Sequence, residues 1–420
     1  MKKVLAIVMV LALMFSLAAC GNGGGDTATP APDNSGATTP APDNTQSDPA
    51  APDPEPATTG RAPIAKEDLK VGVVHIMDLG DQGYSFNHDQ GVKQMLSALG
   101  LSEDQYIPKF NIDDQDVAAT NAAINELIEQ GCQIIFATSF SYGTQVVEAA
   151  KAHPEVEFCH ATGLDAHFED LSNLHNYFAK IHQARYLAGI AAGMKTESNK
   201  LGYVAAYPYA EVISGFTAFY LGAKSVNPDV TMDVMYIDSW GDAQKEKEVA
   251  DALIKRGCDV ISQHSDNVSP AIAAQDAGAF HVGYNNDMAP AAPNASLISA
   301  RINWGNYMTY AVQCMIDGTP ISVDWGEGVE SGAAYLSPLN TAIAAEGTQD
   351  AIDAAMERIK GGELIFKGAL KAPDGSPAAI TSFEGDVIFT FEDENSAFVE
   401  SGDISAPSFN AIIEGINVIS

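Results

Sequence analysis

Positive charge is scarce in this sequence. Its 420 residues include 22 lysines and arginines against 55 aspartates and glutamates, which gives a formal net charge of −33. Proteins that bind nucleic acids neutralise phosphates with lysine and arginine, so this balance argues against a nucleic-acid partner. Part of the acidity lies in an N-terminal tail without the composition of a folded domain, so the net charge says little about any pocket.

The common signatures of catalysis and metal binding are also missing. The sequence has no GxSxG motif, no GxxxxGK[ST] phosphate loop and no CxxC or Cys/His ligand spacing. His264, Ser265 and Asp266 are the residue types of a hydrolase triad, but adjacent strand residues point in alternating directions. A triad is built from distant segments, so we predict a protein without catalytic residues, metal or cofactor.

Long hydrophobic runs are absent beyond the first 20 residues. Lys2 and Lys3 precede an apolar run from Val4 to Leu17, and small residues then lead to Cys20. This order predicts a signal peptide over residues 1–19. The sequence Leu-Ala-Ala-Cys also resembles the lipobox of bacterial lipoproteins, which implies that Cys20 is lipidated and holds the protein outside the cytoplasm on the cell membrane. The alternative is an ordinary signal peptide with a chance cysteine.

Residues 20–62 form a low-complexity segment. It contains TPAPDN twice, followed by DPAAPDPEP. A segment of proline, alanine, glycine and acidic residues cannot bury enough apolar surface to fold. We interpret it as an extended spacer that separates a folded part from the membrane.

Cysteine is rare, and four cysteines follow Cys20: Cys132, Cys159, Cys258 and Cys314. An exported protein could join them in two disulfides. However, Cys132 and Cys258 each follow a glycine at the start of an apolar run, where a small buried residue belongs. The sequence favours free thiols and leaves the disulfide alternative open.

From Leu69 onward, short apolar runs alternate with amphipathic helical patterns. LKVGVVHIM, QYIPKFNI, CQIIFATS and VEFCHAT predict strands, and a similar series follows in KLGYVAAY, VTMDVMYID, CDVISQHS and AFHVGYNN. Strands separated by helices predict a parallel sheet covered on both faces. The repetition predicts an α/β protein of two doubly wound lobes, over residues 63–178 and 179–285, with a cleft between them.

Ligands of such sheets bind beyond the carboxyl ends of the strands. In this sequence those ends carry aromatic, amide and acidic residues and no lysine or arginine. Such a cleft is a poor site for phosphate or carboxylate and suits a flat, neutral, nitrogen-rich ring. The predicted ligand residues are Asp81, Tyr84, Ser85, Phe140, Tyr207, Trp240, Asp242, His264, Asp266, Asn285, Asp287 and Trp304.

Each aromatic residue also has a structural interpretation. Trp240 and Tyr84 stand beside Gly241 and Gly83 at predicted turns, which favours ligand contact over packing. Tyr207, His264 and Trp304 fit a structural role equally well, and both readings stay open for them.

Several segments, taken in order, resemble the basic membrane protein family of ABC-transporter substrate-binding lipoproteins. They include GDQGYSFNHDQG, FATSFSYGTQVVEAAKAHPEVEFCHATG, LGYVAAYPYAEVISGF, DSWGDAQKEKEVADALI and ISQHSDN. The resemblance runs from about Leu69 to Trp304 and is weaker beyond. It implies a two-lobed type I periplasmic-binding fold with three hinge crossings. A segment near 286–330 would return to the first lobe, and part of 331–420 would complete the second.

The resemblance further implies a monomer that clamps a purine between aromatic residues of the two lobes and delivers it to an ABC permease. By position, Tyr84 and Trp240 are the two aromatics, and Asp81 belongs to the loop of the first. Asn285 stands where nucleoside receptors have an aspartate, and ARINWG replaces an expected lysine. These departures favour a free nucleobase such as adenine over a nucleoside. A sugar or signal-molecule binding protein on the same fold is the alternative.

Overall fold

The computed structural model describes residues 61–419. The predicted signal peptide, the lipidation site Cys20 and nearly all of the predicted spacer lie outside the described residues.

Strands and helices alternate along most of the described chain. The strands are β1 (Val71–Val74), β2 (Tyr106–Lys109), β3 (Ile134–Ala137), β4 (Glu157–Ala161), β5 (Leu174–Tyr177), β6 (Lys200–Ala205), β7 (Thr231–Tyr236), β8 (Val260–His264), β9 (Phe280–Tyr284), β10 (Ser296–Ile302), β11 (Asp324–Trp325), β12 (Ala334–Leu336), β13 (Phe366–Lys367), β14 (Ala379–Thr381), β15 (Val387–Thr390), β16 (Ala397–Phe398) and β17 (Ile416–Ile419). The helices are α1 (Tyr84–Leu99), α2 (Val117–Glu129), α3 (Gly143–Ala152), α4 (Ile181–Lys195), α5 (Ala210–Val226), α6 (Ala243–Lys255), α7 (Ser269–Ala277), α8 (Trp304–Asp317) and α9 (Thr348–Lys360).

The strands form two large sheets with the same internal order. The first sheet runs β11-β5-β4-β3-β1-β2, and the second runs β12-β10-β9-β8-β6-β7-β17. All neighbours in the first sheet are parallel, and in the second only β12 is antiparallel to its neighbour. The order β2-β1-β3-β4-β5 recurs as β7-β6-β8-β9-β10. The two-lobed α/β fold predicted from the repeated sequence pattern is therefore confirmed.

Buried apolar strands and capped helices explain the local structure. Every residue of β1 and β3 is buried, as expected for strands covered on both faces. The helix that follows β2 begins where Asp116 accepts hydrogen bonds from the backbone N–H groups of Ala118 and Ala119 at 3.0 and 3.1 Å. Such a cap satisfies donors that have no partner inside the helix.

The chain passes between the two sheets after β5, after β10 and after β11. The segment near 286–330, predicted to return to the first lobe, divides between the lobes. Helix α8 packs against α1 and β11 joins the first sheet, whereas β10 pairs with β9 in the second. The parallel pairing of β10 with β9 places Ser299 opposite Gly283.

The C-terminal part contributes to the second sheet and adds two small sheets of its own. Strand β17 pairs with β7 at the sheet edge, while β13 pairs with β16 and β14 with β15. Within the segment ELIFKGALKAPDGSPAAI, Lys371 and Pro377 form an antiparallel bridge.

Cys132, Cys159, Cys258 and Cys314 are all buried free thiols, which confirms the favoured prediction. Burial raises the pKa of Cys132 to about 11 and that of Cys258 to about 12, so these thiols are protonated and unreactive. Within residues 61–419, no helix is both long enough and apolar enough to cross a membrane.

Helices α4 and α5 pack with their backbones in close contact. A Cβ on Gly189 would overlap the carbonyl oxygen of Phe219, and one on Gly222 would overlap that of Tyr186. The contact therefore requires glycine on both helices.

We predict that Gly189→Ala lowers the free energy of unfolding by about 1–3 kcal/mol, because the methyl group forces the two helices apart. Urea unfolding followed by circular dichroism measures this loss. Gly361→Ala is the control, since Gly361 has an ordinary φ of −76° and a Cβ there would have no neighbour closer than 3.3 Å. Equal stability of the two variants would contradict the packing account.

Candidate functional site

A cavity lies between the two lobes, at the carboxyl ends of strands from both sheets. The first lobe contributes residues that follow β1, β3 and β4, and the second contributes residues from the ends of β6, β7, β8 and β9. The lining residues are Ile76, Tyr84, Thr138, Ser139, Phe140, Thr162, Glu211, Trp240, His264, Asp266 and Tyr284. This is the place at which open α/β sheets bind ligands.

The two lobes touch at glycines beside the cavity. Gly83 of the first lobe lies so close to the second lobe that a Cβ would overlap the carbonyl oxygen of Asp266. Gly241 of the second lobe lies against the side chain of Met77 of the first in the same way. Each glycine stands next to a predicted ligand aromatic. A side chain at Gly83 would meet the backbone of the second lobe and hold the lobes apart, whereas one at Gly241 would displace the flexible end of Met77.

The first lobe supplies two aromatic side chains to the cavity. Tyr84 begins α1, and its hydroxyl donates a hydrogen bond of 2.6 Å to the backbone oxygen of Thr138. This bond fixes the ring against the end of β3. Phe140 is 36 % exposed, and its ring centroid lies 6.2 Å from that of Tyr209 in the second lobe.

The second lobe supplies Trp240 from the loop after β7. Its backbone oxygen accepts a hydrogen bond of 2.9 Å from the N–H of Asp266, which joins this loop to the end of β8. The indole packs edge-on against Tyr207, and Tyr207 in turn stacks on Tyr209. Tyr207 therefore supports Trp240 from the side and does not line the cavity.

His264 and Asp266 both line the cavity, whereas Ser265 between them does not. This alternation agrees with the geometry of a strand end and separates the three residues of the suspected triad. Nε2 of His264 lies 3.3 Å from Oε1 of Glu211. Oδ1 of Asp266 accepts a hydrogen bond of 3.2 Å from the side-chain amide of Asn285.

Burial controls the charge of these groups. Burial raises the pKa of Glu211 to about 7, although the nearby Arg185 guanidinium opposes the rise. Burial, and next the neighbouring carboxyl of Asp81, raise the pKa of Asp266 well above its usual range. Burial, and next Arg185, lower the pKa of His264 well below 6.5. The imidazole of His264 is therefore neutral at neutral pH, and burial favours the uncharged form of the Asp266 carboxyl.

Asp81 and Ser85 shape the loop that presents Tyr84. The carboxylate of Asp81 accepts hydrogen bonds from the N–H groups of Gly83, Ser85 and Phe86 at 3.0, 2.7 and 3.1 Å. Ser85 Oγ accepts a hydrogen bond of 3.2 Å from the N–H of Met77. Neither side chain lines the cavity, so both hold the first turn of α1 in place beside it.

Asn285 and Asp287 also lie behind the cavity wall. Asn285 is fully buried with φ 65°, and its side-chain amide is used by Asp266. Its backbone oxygen accepts a hydrogen bond of 3.2 Å from Nε of Arg301, a residue of the ARINWG segment. Asp287 Oδ1 accepts a hydrogen bond of 3.1 Å from the N–H of Ala289 and shapes the same loop.

The structure places two other predicted ligand residues in structural roles. Trp304 is buried at the start of α8, stacked on His88 with 3.9 Å between ring centroids and edge-on to Tyr84. Asp242 caps α6, because Oδ1 accepts hydrogen bonds from the N–H groups of Gln244 and Lys245. Neither residue lines the cavity.

The predicted set omitted six residues that line the cavity: Ile76, Thr138, Ser139, Thr162, Glu211 and Tyr284. The sequence could have predicted these residues, because each lies at or just beyond a strand end or in the first turn of the following helix. Arg185 gave no such signal. It lies in the middle of α4 and is buried, with its guanidinium 3.8 Å from the centroid of the Tyr284 ring.

The family model for ABC transporter substrate-binding proteins of the PnrA-like type, named Bmp, matches residues 69–364. The chain belongs to this family. A purine-binding protein of Brucella abortus is 34 % identical over 318 residues, which cover 76 % of this chain and 88 % of that protein. A protein of Haloferax volcanii, provisionally named an ABC transporter glucose-binding protein, is 33 % identical over 354 residues, covering 84 % of each chain.

Solved structures agree on the fold of this Bmp-family chain. An ABC transporter solute-binding protein from Conexibacter woesei superposes with a TM-score of 0.55 at 19 % identity, covering 70 % of this chain and 97 % of that one. The Bmp family and this fold are those of extracytoplasmic substrate-binding proteins, not of enzymes. Within residues 61–419, no cluster of three or more His, Cys, Asp or Glu side chains is arranged to hold a metal ion.

We predict that Asp242→Ala lowers the free energy of unfolding by about 1 kcal/mol, because α6 loses its N-terminal cap. Asp242→Ser is the matched variant, since a serine oxygen can accept the same backbone hydrogen bonds. Urea unfolding of both variants checks the assignment. If serine fails to restore most of the lost stability, Asp242 does not act as the cap.

Proposed function

We propose that this Bmp-family protein binds a purine nucleobase such as adenine and delivers it to an ABC import permease. The cavity between the lobes is the observation that carries the proposal. Tyr84 and Phe140 of the first lobe and Trp240 and Tyr284 of the second bring aromatic surface to it from both sides. A planar ring held between aromatic side chains gains about 1–3 kcal/mol per stacked base.

The polar atoms of the cavity fit a neutral ring with hydrogen-bonding edges. Glu211, His264 and Asp266 provide carboxyl and imidazole groups, and no lysine or arginine occurs among the described residues that line it. A phosphate or carboxylate that entered this cavity would give up its bound water and would find no positively charged side chain in the wall to replace it. The proposed contact residues are Tyr84, Phe140, Glu211, Trp240, His264, Asp266 and Tyr284.

The name of the Brucella abortus relative, a purine-binding protein, supports the ligand class. Asn285 stands where nucleoside receptors of the family have an aspartate, and this departure favours a base over a nucleoside. Its Nδ2 donates to Asp266 and Arg301 binds its backbone oxygen, while its buried Oδ1 has no hydrogen-bond partner among the described residues.

Transport would follow from movement of the two lobes. The crossings after β5, β10 and β11 form the hinge, and the glycine contacts at Gly83 and Gly241 form only when the lobes meet. A ligand that bridges the lobes favours the closed arrangement over the open one. The permease would recognise this closed shape on a protein anchored to the cell membrane through Cys20.

A sugar is the second candidate ligand, because the Haloferax volcanii relative carries a glucose-binding name at similar identity. Aromatic faces bind sugar rings as well as bases. A signal molecule bound by a protein of the same fold is part of this alternative.

A melting experiment separates these candidates. A ligand that binds only the folded state stabilises it by about 2.7 kcal/mol when present at 100 times its Kd. We expect adenine to raise the Tm of the purified protein, adenosine to raise it less, and glucose to leave it unchanged. A response to glucose alone would replace the purine proposal with the sugar alternative.

We predict that Trp240→Ala weakens adenine binding about 5- to 150-fold, because one stacking partner worth about 1–3 kcal/mol is removed. Titration calorimetry measures the affinity. Trp325→Ala is the matched control, since Trp325 is also half-buried and packs against Tyr307 away from the cavity. Equal weakening by both substitutions, or an unchanged affinity in Trp240→Ala, would contradict the clamp.

A further inference from the structure

We infer that Glu211 is a specificity-determining residue that meets the ligand as a neutral carboxylic acid. In that state it selects rings that present a hydrogen-bond acceptor beside a donor, as adenine does, over rings that present two adjacent donors, as guanine does. The inference rests on the proposed function, because it concerns the same cavity and the same class of ligand.

Glu211 is placed for such a role by the turn between β6 and α5. It lies in the first turn of α5, lines the cavity, and has a side chain that is only 12 % exposed. Oε1 lies 3.3 Å from Nε2 of His264. Among the described residues, Oε2 makes no hydrogen bond within the protein, which leaves this oxygen for a ligand.

His264 leaves Oε2 of Glu211 free for a ligand. Its ring pairs through Nε2 with Oε1 of Glu211, while its Nδ1 is buried with no hydrogen-bond partner among the described residues. With its hydrogen on Nε2, the neutral imidazole donates to Oε1, and the acidic proton of Glu211 then belongs on Oε2.

The surroundings of Glu211 favour its neutral form. The charged and titratable groups around it come from five places: Arg185 on α4, His264 at the end of β8, Asp266 after β8, Tyr284 on β9 and Tyr84 on α1. The charge of Arg185 favours the carboxylate, but its guanidinium already donates hydrogen bonds to the hydroxyl of Tyr203 and the backbone oxygen of Gln263.

Burial outweighs Arg185 and brings the pKa of Glu211 to about 7 before any ligand binds. A ligand atom that accepts a hydrogen bond from Oε2 stabilises the protonated form and raises this pKa further. Binding then takes up a proton when the solution is above the pKa of the free protein.

The form of Glu211 decides which ring edge it can pair with. A carboxylic acid offers an O–H donor beside a C=O acceptor, which match a ring nitrogen beside an exocyclic amine. A carboxylate offers two acceptors, which match two neighbouring N–H groups such as those of guanine. An unmatched pairing leaves a buried donor or acceptor without a partner, which is costly.

Titration calorimetry of the full-length protein with adenine and with guanine, across pH, tests the inference. The affinity for adenine should be highest at pH values below the Glu211 pKa of about 7 and should fall as the pH rises through that value. At about 1.5 pH units above the pKa, the affinity should be about 30-fold weaker than at low pH. Guanine should bind more weakly than adenine below that pKa and approach it above. Neither base changes its own charge over this range.

Glu211→Gln keeps a donor and an acceptor side by side at every pH, so its adenine affinity should be high and independent of pH. Glu246→Gln is the matched control. Glu246 is also buried with a pKa raised to about 7, but its carboxylate accepts hydrogen bonds from Asn267 and lies outside the cavity. This variant should keep the pH dependence of the unchanged protein.

The outcomes separate the two proposals. Adenine binding that does not change with pH in the unchanged protein overturns the inference and leaves the purine proposal intact. Guanine that binds as tightly as adenine below the Glu211 pKa would also overturn the inference and leave the purine proposal intact. Failure of every purine to bind at any pH removes both. If Glu211→Gln does not fold, the profiles of the unchanged protein and of Glu246→Gln decide the question.

Discussion

The site depends on one close contact between two backbones. Gly83 of the first lobe meets the carbonyl oxygen of Asp266 of the second with no room for a side chain between them. This contact brings the carboxyl ends of two separate parallel sheets to the same place. Tyr84 follows Gly83 directly, and both Tyr84 and Asp266 line the cavity, so contact between the lobes and the shape of the cavity depend on the same few residues. A change in the angle between the lobes therefore changes the shape of the cavity.

Burial is the second constraint. Asp266 and His264 are buried and the Glu211 side chain is nearly so, and burial favours the uncharged form of each. Arg185 lies behind the wall, where it faces the ring of Tyr284 and the backbone of Gln263. The cavity thus offers aromatic faces and neutral hydrogen-bonding groups, although the protein as a whole is strongly acidic.

The sequence was enough to predict the two α/β lobes, because strand and helix patterns repeat with the same spacing in both halves. Strand ends in such sheets converge, and five of the residues predicted there line the cavity: Tyr84, Phe140, Trp240, His264 and Asp266. The sequence could not separate a carboxylate that meets a ligand from one that caps a helix. Asp81 and Asp242 precede helices and cap them, whereas Glu211, inside a first helical turn, faces the cavity. The burial of Trp304 and Arg185 depends on packing between distant helices, which local patterns do not record.

A crystal structure of the protein grown with adenine tests the central claim most directly. The account predicts density for one purine ring between the two lobes, in van der Waals contact with Trp240 and Tyr84 and hydrogen-bonded to Glu211 or Asp266. It would be contradicted by adenine bound outside this cavity, or by lobes that stay closed with the cavity empty while calorimetry under the same conditions shows binding.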